Sequence, residues 1–541
     1  MAPIFVGSND DNSRVRSDRV GFAISTSNPG SASEGDAYYN SSDSQLNIYD
    51  GSAWASAGAG GNSVELVASG TLSDGQTVII QSDGTVTGIG STAISQSVGT
   101  AVTFESGNTK MYYQGQNMIY DSANEKIVIF YEDESNNDYG TAVVGTVDGN
   151  SNTITFGTPV VFEDDGATSN IAAAYNSTRN ECIIGWFRGS YLYGAVGRVS
   201  GNTITFHNER IVNASANYLS IAYDPVEEAV VYFYQDTANS NRGTARVGKI
   251  TDDTFNMDGS ERQFNSTTSG TKDIQAVYDT ASGKIVIIYV DAGNSDYGTA
   301  IVGTVDGSGV GDISFGSETT FSAASETDRK LGIVYDAGAE KVVVFYNPSG
   351  YSFAAKVGTV SGTSISFGSQ VINDGSYESV VGAYNSVTQK IVVAYTGPGN
   401  GIDFTEGTVT GTAVTFTVPN QLNSAIAGPK SLVFDSSASK IVIAYENESH
   451  ASGTDPGEAQ VYTSEGTNLT ANNFLGFSDA AYSDGQTAKI QIAGSVDDAQ
   501  PGLTTARKFY VQNDGSLSTT AGDPSVEAGV GISTTQIIVK G

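Results

Sequence analysis

Seven tyrosines, Tyr112, Tyr113, Tyr191, Tyr193, Tyr218, Tyr351 and Tyr377, stand in or beside segments of varied length and polar composition, with Phe353 close to one of them. A tyrosine ring can lie against the apolar face of a sugar or anchor a protein interface, and its hydroxyl adds a polar handle. These seven are the candidate receptor-binding residues, and the alternative for each is a place in the packing between structural repeats. Two acidic loops, 132–138 and 291–296, offer the carboxylate and backbone oxygens that Ca²⁺ takes. Neither has EF-hand spacing, and a solvated acidic surface accounts for them more simply. No metal residue is assigned, and Ca²⁺ is the one cofactor kept in view. His207 and His450 lie far apart with no cysteine or second histidine at ligand spacing, which argues against zinc and against a Ser-His-Asp arrangement. Glycoside hydrolysis needs two carboxylates about 5 to 10 Å apart; among 59 acidic residues no pair is singled out. No catalytic residue is assigned, and an enzyme is not expected.

The elements that must position these residues repeat. The stretch YDSANEKIVIFYEDESNNDYGTAVVGTVDGNSNTITFGTPVVF, from Tyr120 to Phe162, opens with an apolar strand ending in Tyr-Asp, and that opening returns six more times. The anchors are Tyr120, Tyr175, Tyr223, Tyr278, Tyr335, Tyr384 and Phe434, 48 to 57 residues apart. Asp or Asn follows every anchor, a side chain that starts tight turns. Seven residues on stands Ile, Val or Cys182, and eleven residues on an aromatic: Tyr131, Trp186, Tyr234, Tyr289, Tyr346, Tyr395 and Tyr445. The runs between, such as KVVVFY, are apolar on both faces, as a strand covered on both sides requires. Seven four-strand units predict an all-β chain centred on a seven-bladed β-propeller.

In such a blade the first and third turns lie on one face, here short and uniform. The second-to-third loops and blade-to-blade links lie on the other, and their sequences differ. That variable face is the expected recognition surface. The Asp-box pattern of sialidase-type propellers is not present. Cys182 fills a column of Ile and Val and reads as core.

A net charge of −33 argues against nucleic-acid binding, which needs basic surface. The N-terminus lacks a continuous apolar run, so no signal peptide is expected, and no window has the length of a membrane span, so no membrane insertion is expected either. Four regions are expected: an attachment region at 1–62, a small β module at 63–98, the propeller at 99–464 and a small β domain at 465–541. The turn SDGQT occurs at 73–77 and again at 483–487, which suggests related modules flanking the ring. The seventh repeat lacks a fourth strand, whereas GTAVTF at 99–104 has no repeat of its own and matches 411–416 letter for letter. That N-terminal strand is expected to close the ring, removing the open edges.

Three stretches resemble bacteriophage tail-fibre and virion structural proteins of the marine type: NPGSASEGDAYYNSSDSQLNIYDGSAW near the start, the repeat itself, and QPGLTTARKFYVQNDGSLSTTAGDPSVEAGVGISTTQIIVKG at the end. The resemblance implies an N-terminus bound to other virion proteins and a distal part facing a host-surface glycan or protein. It implies a homo-oligomer, a trimer being the usual fibre form, although no long shaft is present. It places the protein on the virion, as a tail fibre or other surface appendage made in the host cytoplasm. A purely structural component (baseplate, collar or capsid surface) is the alternative, with a polysaccharide depolymerase ranked last.

Overall fold

The computed structural model describes residues 63–540 except 82–83, 90–95, 113–115, 150, 252–253, 258, 266–269, 309–310, 326–330, 348–351, 375–378, 398, 425–427, 449–453, 465–468, 470–472, 513–514 and 522–524; before residue 63 it describes the backbone of four short strands. The chain forms two compact units, one of Ile94–Gly466 and one of Met1–Ala93 with Thr467–Gly541. No helix among the described residues is long and apolar enough to cross a membrane.

The larger unit is a seven-bladed β-propeller. Blade 1 shows how sequence sets each blade. Its first strand, Met118–Asp121, ends on the anchor pair, and the Asp121 carboxylate accepts from the backbone N–H groups of Ala123 and Asn124, both at 3.1 Å. That closes the turn into the second strand, Lys126–Asp133. Asp224, Asp279 and Asp435 make the same pair of bonds, and the side-chain oxygens of Asn176 and Asn385 replace them in blades 2 and 6. The third strand, Tyr139–Asp148, pairs along the whole second strand. The outer position holds two segments in tandem, Thr153–Phe156 and Val160–Glu163, both antiparallel to the third strand. In blade 2 these fuse into one strand, Thr203–Asn213.

The core lies between blades. The column of aromatics read from the sequence is buried throughout. Each of four packs on a phenylalanine from the outer strand of the preceding blade: Tyr131 on Phe104, Trp186 on Phe162, Tyr289 on Phe264 and Tyr346 on Phe321, with ring centroids 5.1 to 5.3 Å apart. Phe353, expected near the recognition face, instead fills the gap between blades 5 and 6 against Tyr395 at 4.9 Å and is buried.

The ring closes as expected but in another register. First strands neighbour one another in order, and the last, Pro429–Asp435, returns to the first, Met118–Asp121. The third strand of blade 7, Gly457–Thr463, pairs with Ser97–Val98 and Val102–Glu105, with Val102 opposite Ala459. Gly99 N–H donates to the Val461 carbonyl at 2.8 Å, as Gly157 does to Val144, Gly316 to Val302 and Gly368 to Val357. A methyl on any of these four glycines would come within 1.9 Å of a carbonyl oxygen in the next blade: Asn152, Asn202, Thr363 or Thr412. GTAVTF at 99–104 is therefore the counterpart of GTPVVF at 157–162, the second outer segment. Its identical twin at 411–416 is a first outer segment, with Phe416 opposite Gly407. Letter identity pairs the wrong segments, because both place an apolar residue two before a phenylalanine.

In the smaller unit, the segments read as separate modules at 63–98 and 465–541 share one sheet, in the order Ser63–Val67, Thr487–Gln491, Phe474–Ser478, Thr77–Ile80, Val86–Gly88. The two SDGQT turns are related by a local two-fold. Gly485 N–H donates to Ala68 O as Gly75 N–H does to Ser478 O, at 2.8 and 2.9 Å, and Leu72 and Tyr482 exchange a bridge on the axis. A second five-stranded sheet, built from 496–539, shares an apolar core with Ile79 and Phe477. The strands at Ala37–Asn40 and Gln45–Tyr49 form the hairpin expected near the N-terminus.

Candidate binding site

On the face expected to vary, three of the seven second-to-third loops are alike. Asp133, Asp236 and Asp291 each cap a single 3₁₀ turn, and each turn ends in two residues of left-handed conformation: Asn137 and Asp138, Ser240 and Asn241, Ser295 and Asp296. The pattern Asp-x-x-Asn-(Asn/Ser)-(Asp/Asn) encodes them, since these residue types tolerate left-handed φ. Blades 1, 3 and 4 therefore carry a fixed loop, and the expected loop-by-loop variation does not extend to them.

These loops also account for much of the acidity that suggested calcium. The Asp291 carboxylate accepts from Gly293 N–H and Asn265 Nδ2, and Asp296 pairs with Lys272 Nζ at 3.0 Å. In blade 1 the carboxylates of Glu132, Glu134 and Asp138 come within 4.8 Å of one another. Glu132 is buried and accepts the Tyr112 hydroxyl proton at 2.6 Å. Burial pushes the Glu132 carboxyl up, and burial followed by the hydrogen bond to Glu132 pushes the Tyr112 hydroxyl up. Tyr112 thus points its polar end inward.

Near the axis, Gln116 spans several blades. Its side chain donates to Ile221 O at 3.0 Å and accepts from Ile221 N–H at 2.9 Å, while its main-chain carbonyl accepts from Ala173 N–H. The cavity left beside it is about 60 Å³ and is lined by Gln275, Leu331, Ile333 and Val380 among others.

Blade 2 is built differently. Its second strand, Glu181–Arg188, turns into the third, Tyr191–Ser200, through Gly189 and Ser190 alone, with Arg188 opposite Tyr191 and Gly189 at φ +62°. The tight hairpin lifts Tyr191 to the surface, 44 % exposed. Behind it the rings form a ladder. Tyr191 lies 6.3 Å from Tyr193, and Tyr193 stacks on buried Trp186 at 5.8 Å and 18°. The Arg188 guanidinium sits 4.1 Å from the Tyr193 ring. It is held by the buried Glu163 carboxylate of blade 1 at 2.8 and 2.9 Å, and Glu163 also accepts from Trp186 Nε1 at 2.9 Å. Two more carboxylates edge the ladder: Asp165, 3.3 Å from Arg188, and Glu209, 3.7 Å from it. Both are open to solvent. Partial desolvation on its inner side raises the Glu209 carboxyl, and the neighbouring Glu163 charge adds to that.

The structure therefore brings Tyr191 and Tyr193 together, Tyr191 as the accessible ring and Tyr193 as its support. Tyr112 lies in blade 1 against Glu132. Tyr218 lies in the first strand of blade 3 at φ +47°, on a bulge repeated at Asn170 and Asp273, and is half-buried. Tyr113, Tyr351, Tyr377 and His450 fall outside the described residues. His207 is exposed and Cys182 is buried in the blade 1–2 core, its thiol pushed up by burial. Sequence reasoning missed Arg188, Glu163, Asp165 and Glu209. Two signals mark them: Trp186 alone breaks a column of tyrosines, and FRGSYLYG is among the shorter loops of its set.

The sequence matches no protein-family model and no curated protein. Solved structures with a similar chain path include the Dos1 propeller (11 % identity, TM-score 0.42, covering 69 % of this chain and 96 % of that one). A protein from Lactobacillus plantarum is 15 % identical, with TM-score 0.39, covering 61 % of this chain and 92 % of its own. The NanB sialidase from Streptococcus pneumoniae, in complex with a substituted ammonioethanesulfonate, is 9 % identical, with TM-score 0.39, covering 67 % of this chain and 70 % of its own.

Proposed function

We propose that this chain is a phage virion appendage that adheres to the host cell surface through one face of its propeller, binding without chemical turnover. The observation that carries the reading is the blade 2 platform: an exposed tyrosine set against Tyr193, which is itself fixed between buried Trp186 and the Arg188–Glu163 pair, on the face opposite the uniform turns. A ring locked by seven interblade cores pre-organises such a platform, so little ordering is lost on binding. The resemblance of both chain ends to virion proteins supports attachment to the particle through the N-terminal region, with several copies acting together.

Two measurements on phage particles whose genome encodes the chain test this. Gold-labelled antibody against the full-length protein should decorate the particle surface, and purified full-length protein added first should lower adsorption of those particles to their host cells. Decoration without any effect on adsorption would make the chain a structural virion component. Absence from the particle would overturn both readings.

A further inference from the structure

We infer that the surface around Tyr191 on blade 2 is a subsite for an uncharged sugar ring, stacked on Tyr191 and hydrogen-bonded through its hydroxyls to Asp165 and Glu209. The inference rests on the adhesion reading and specifies its ligand class. Three observations carry it. Tyr191 is the accessible end of a ring ladder whose inner members are fixed, so a flat apolar face finds a surface that does not have to be ordered. Asp165 and Glu209 are exposed beside Arg188 at the same end of the ladder, their side chains 79 % and 45 % accessible, and as carboxylates they accept hydrogen bonds, which suits a donor-rich polyol. The charge balance then decides between sugars. Glu163, Asp164, Asp165 and Glu209 gather around Arg188, which is already engaged by Glu163 and covered on one side by Tyr193. Arg210, the next residue after Glu209, donates to the Glu209 main-chain carbonyl at 2.9 Å. A sialylated or uronic-acid residue would therefore meet net negative charge, four carboxylates standing against the two guanidiniums of Arg188 and Arg210. A neutral hexose meets no such repulsion.

The test uses full-length protein on immobilised glycans ending in glucose, galactose, mannose or N-acetylglucosamine, with sialylated and uronate-terminated counterparts, alongside binding to host cells. Wild type should retain at least one neutral glycan and none of the acidic ones. Tyr191→Ala should weaken that binding roughly tenfold or more, about the 1.4 kcal/mol a lost stacking contact represents, and Tyr191→Phe should keep most of it. Asp165→Asn with Glu209→Gln should weaken it as well. Val226→Ser, in the exposed turn at the opposite end of blade 3, should leave it unchanged. The inference is overturned if no neutral glycan binds, if an acidic glycan is preferred, or if Tyr191→Ala binds like wild type with an unchanged unfolding midpoint. Host-cell binding that survives Tyr191→Ala would sink this subsite while leaving adhesion standing; loss of wild-type cell binding would sink adhesion itself.

Discussion

Gly189 and Gly298 both sit beside a second-to-third loop, yet they are glycine for opposite reasons. Gly189 has φ +62° and nothing within 4 Å of an added methyl, so its requirement is conformational. Gly298 would place a methyl 2.5 Å from the Phe321 ring, which is itself buried against Tyr346. Gly189→Asn should therefore unfold within about 1 kcal/mol of wild type, since asparagine tolerates the left-handed region. Gly298→Ala should lose about 1 to 3 kcal/mol by overpacking, and Gly298→Asn more. Urea midpoints at constant m-value would check the contrast. Sequence alone exposed the turn-forming Asp121 and its six counterparts, because their role is local and needs only the next three residues. It did not expose Glu163, whose three donors come from its own turn and from Trp186 and Arg188 in the next blade.

Among the elements, the outer strand resisted reading most. Its first segment announces itself as Ile-x-Phe, but the second (GTPVVF in blade 1) contributes the phenylalanine that fills the interblade gap, and that gap is a tertiary feature. The corrected register makes Phe104 the counterpart of Phe162, Phe264 and Phe321, lying 5.3 Å from Tyr131 and over Gly457. Phe104→Ala should then cost as much as Phe321→Ala, about 3 to 5 kcal/mol each, measured by equilibrium unfolding of the full-length protein. A leading strand that merely lay along the rim would lose far less at Phe104. The three matching 3₁₀ loops make a second test at this scale. Removing the cap with Asp236→Ala leaves the Ala238 and Asn239 N–H groups without their acceptor and should cost about 0.5 to 2 kcal/mol.

Across the whole molecule, charge sets the response to pH. In the propeller, burial raises the carboxyls of Glu132, Asp133, Glu209, Asp236, Asp403 and Glu446 above their ordinary values. Two of its described carboxyls are lowered: Asp312 by the hydrogen bond from Arg262, and Asp306 by the Ser308 N–H. A carboxyl raised on folding binds its proton more readily in the native state, so stability rises as pH falls toward the unfolded-state value. A lowered one stabilises above its unfolded value and loses that as pH falls through the folded one. The propeller transition should therefore move to higher temperature between pH 7 and about pH 5, and reverse only below about pH 3.8, where Asp306 and Asp312 protonate. A net charge of −33 works in the same direction, since acidification relieves self-repulsion. A midpoint that falls steadily from pH 7 to pH 5 would contradict this account.

The two halves of the SDGQT pair lie 410 residues apart, yet each donates a hydrogen bond to the chain just ahead of the other. During synthesis Ser63–Val67 must wait unpaired, and Thr77–Ile80 paired on one side only with Val86–Gly88, until the ribosome has delivered the strands at Phe474–Ser478 and Thr487–Gln491. A product truncated anywhere in the ring leaves those early strands as bare edges that attract clearance. Completion of the sheet is thus a built-in certificate that translation has passed the ring.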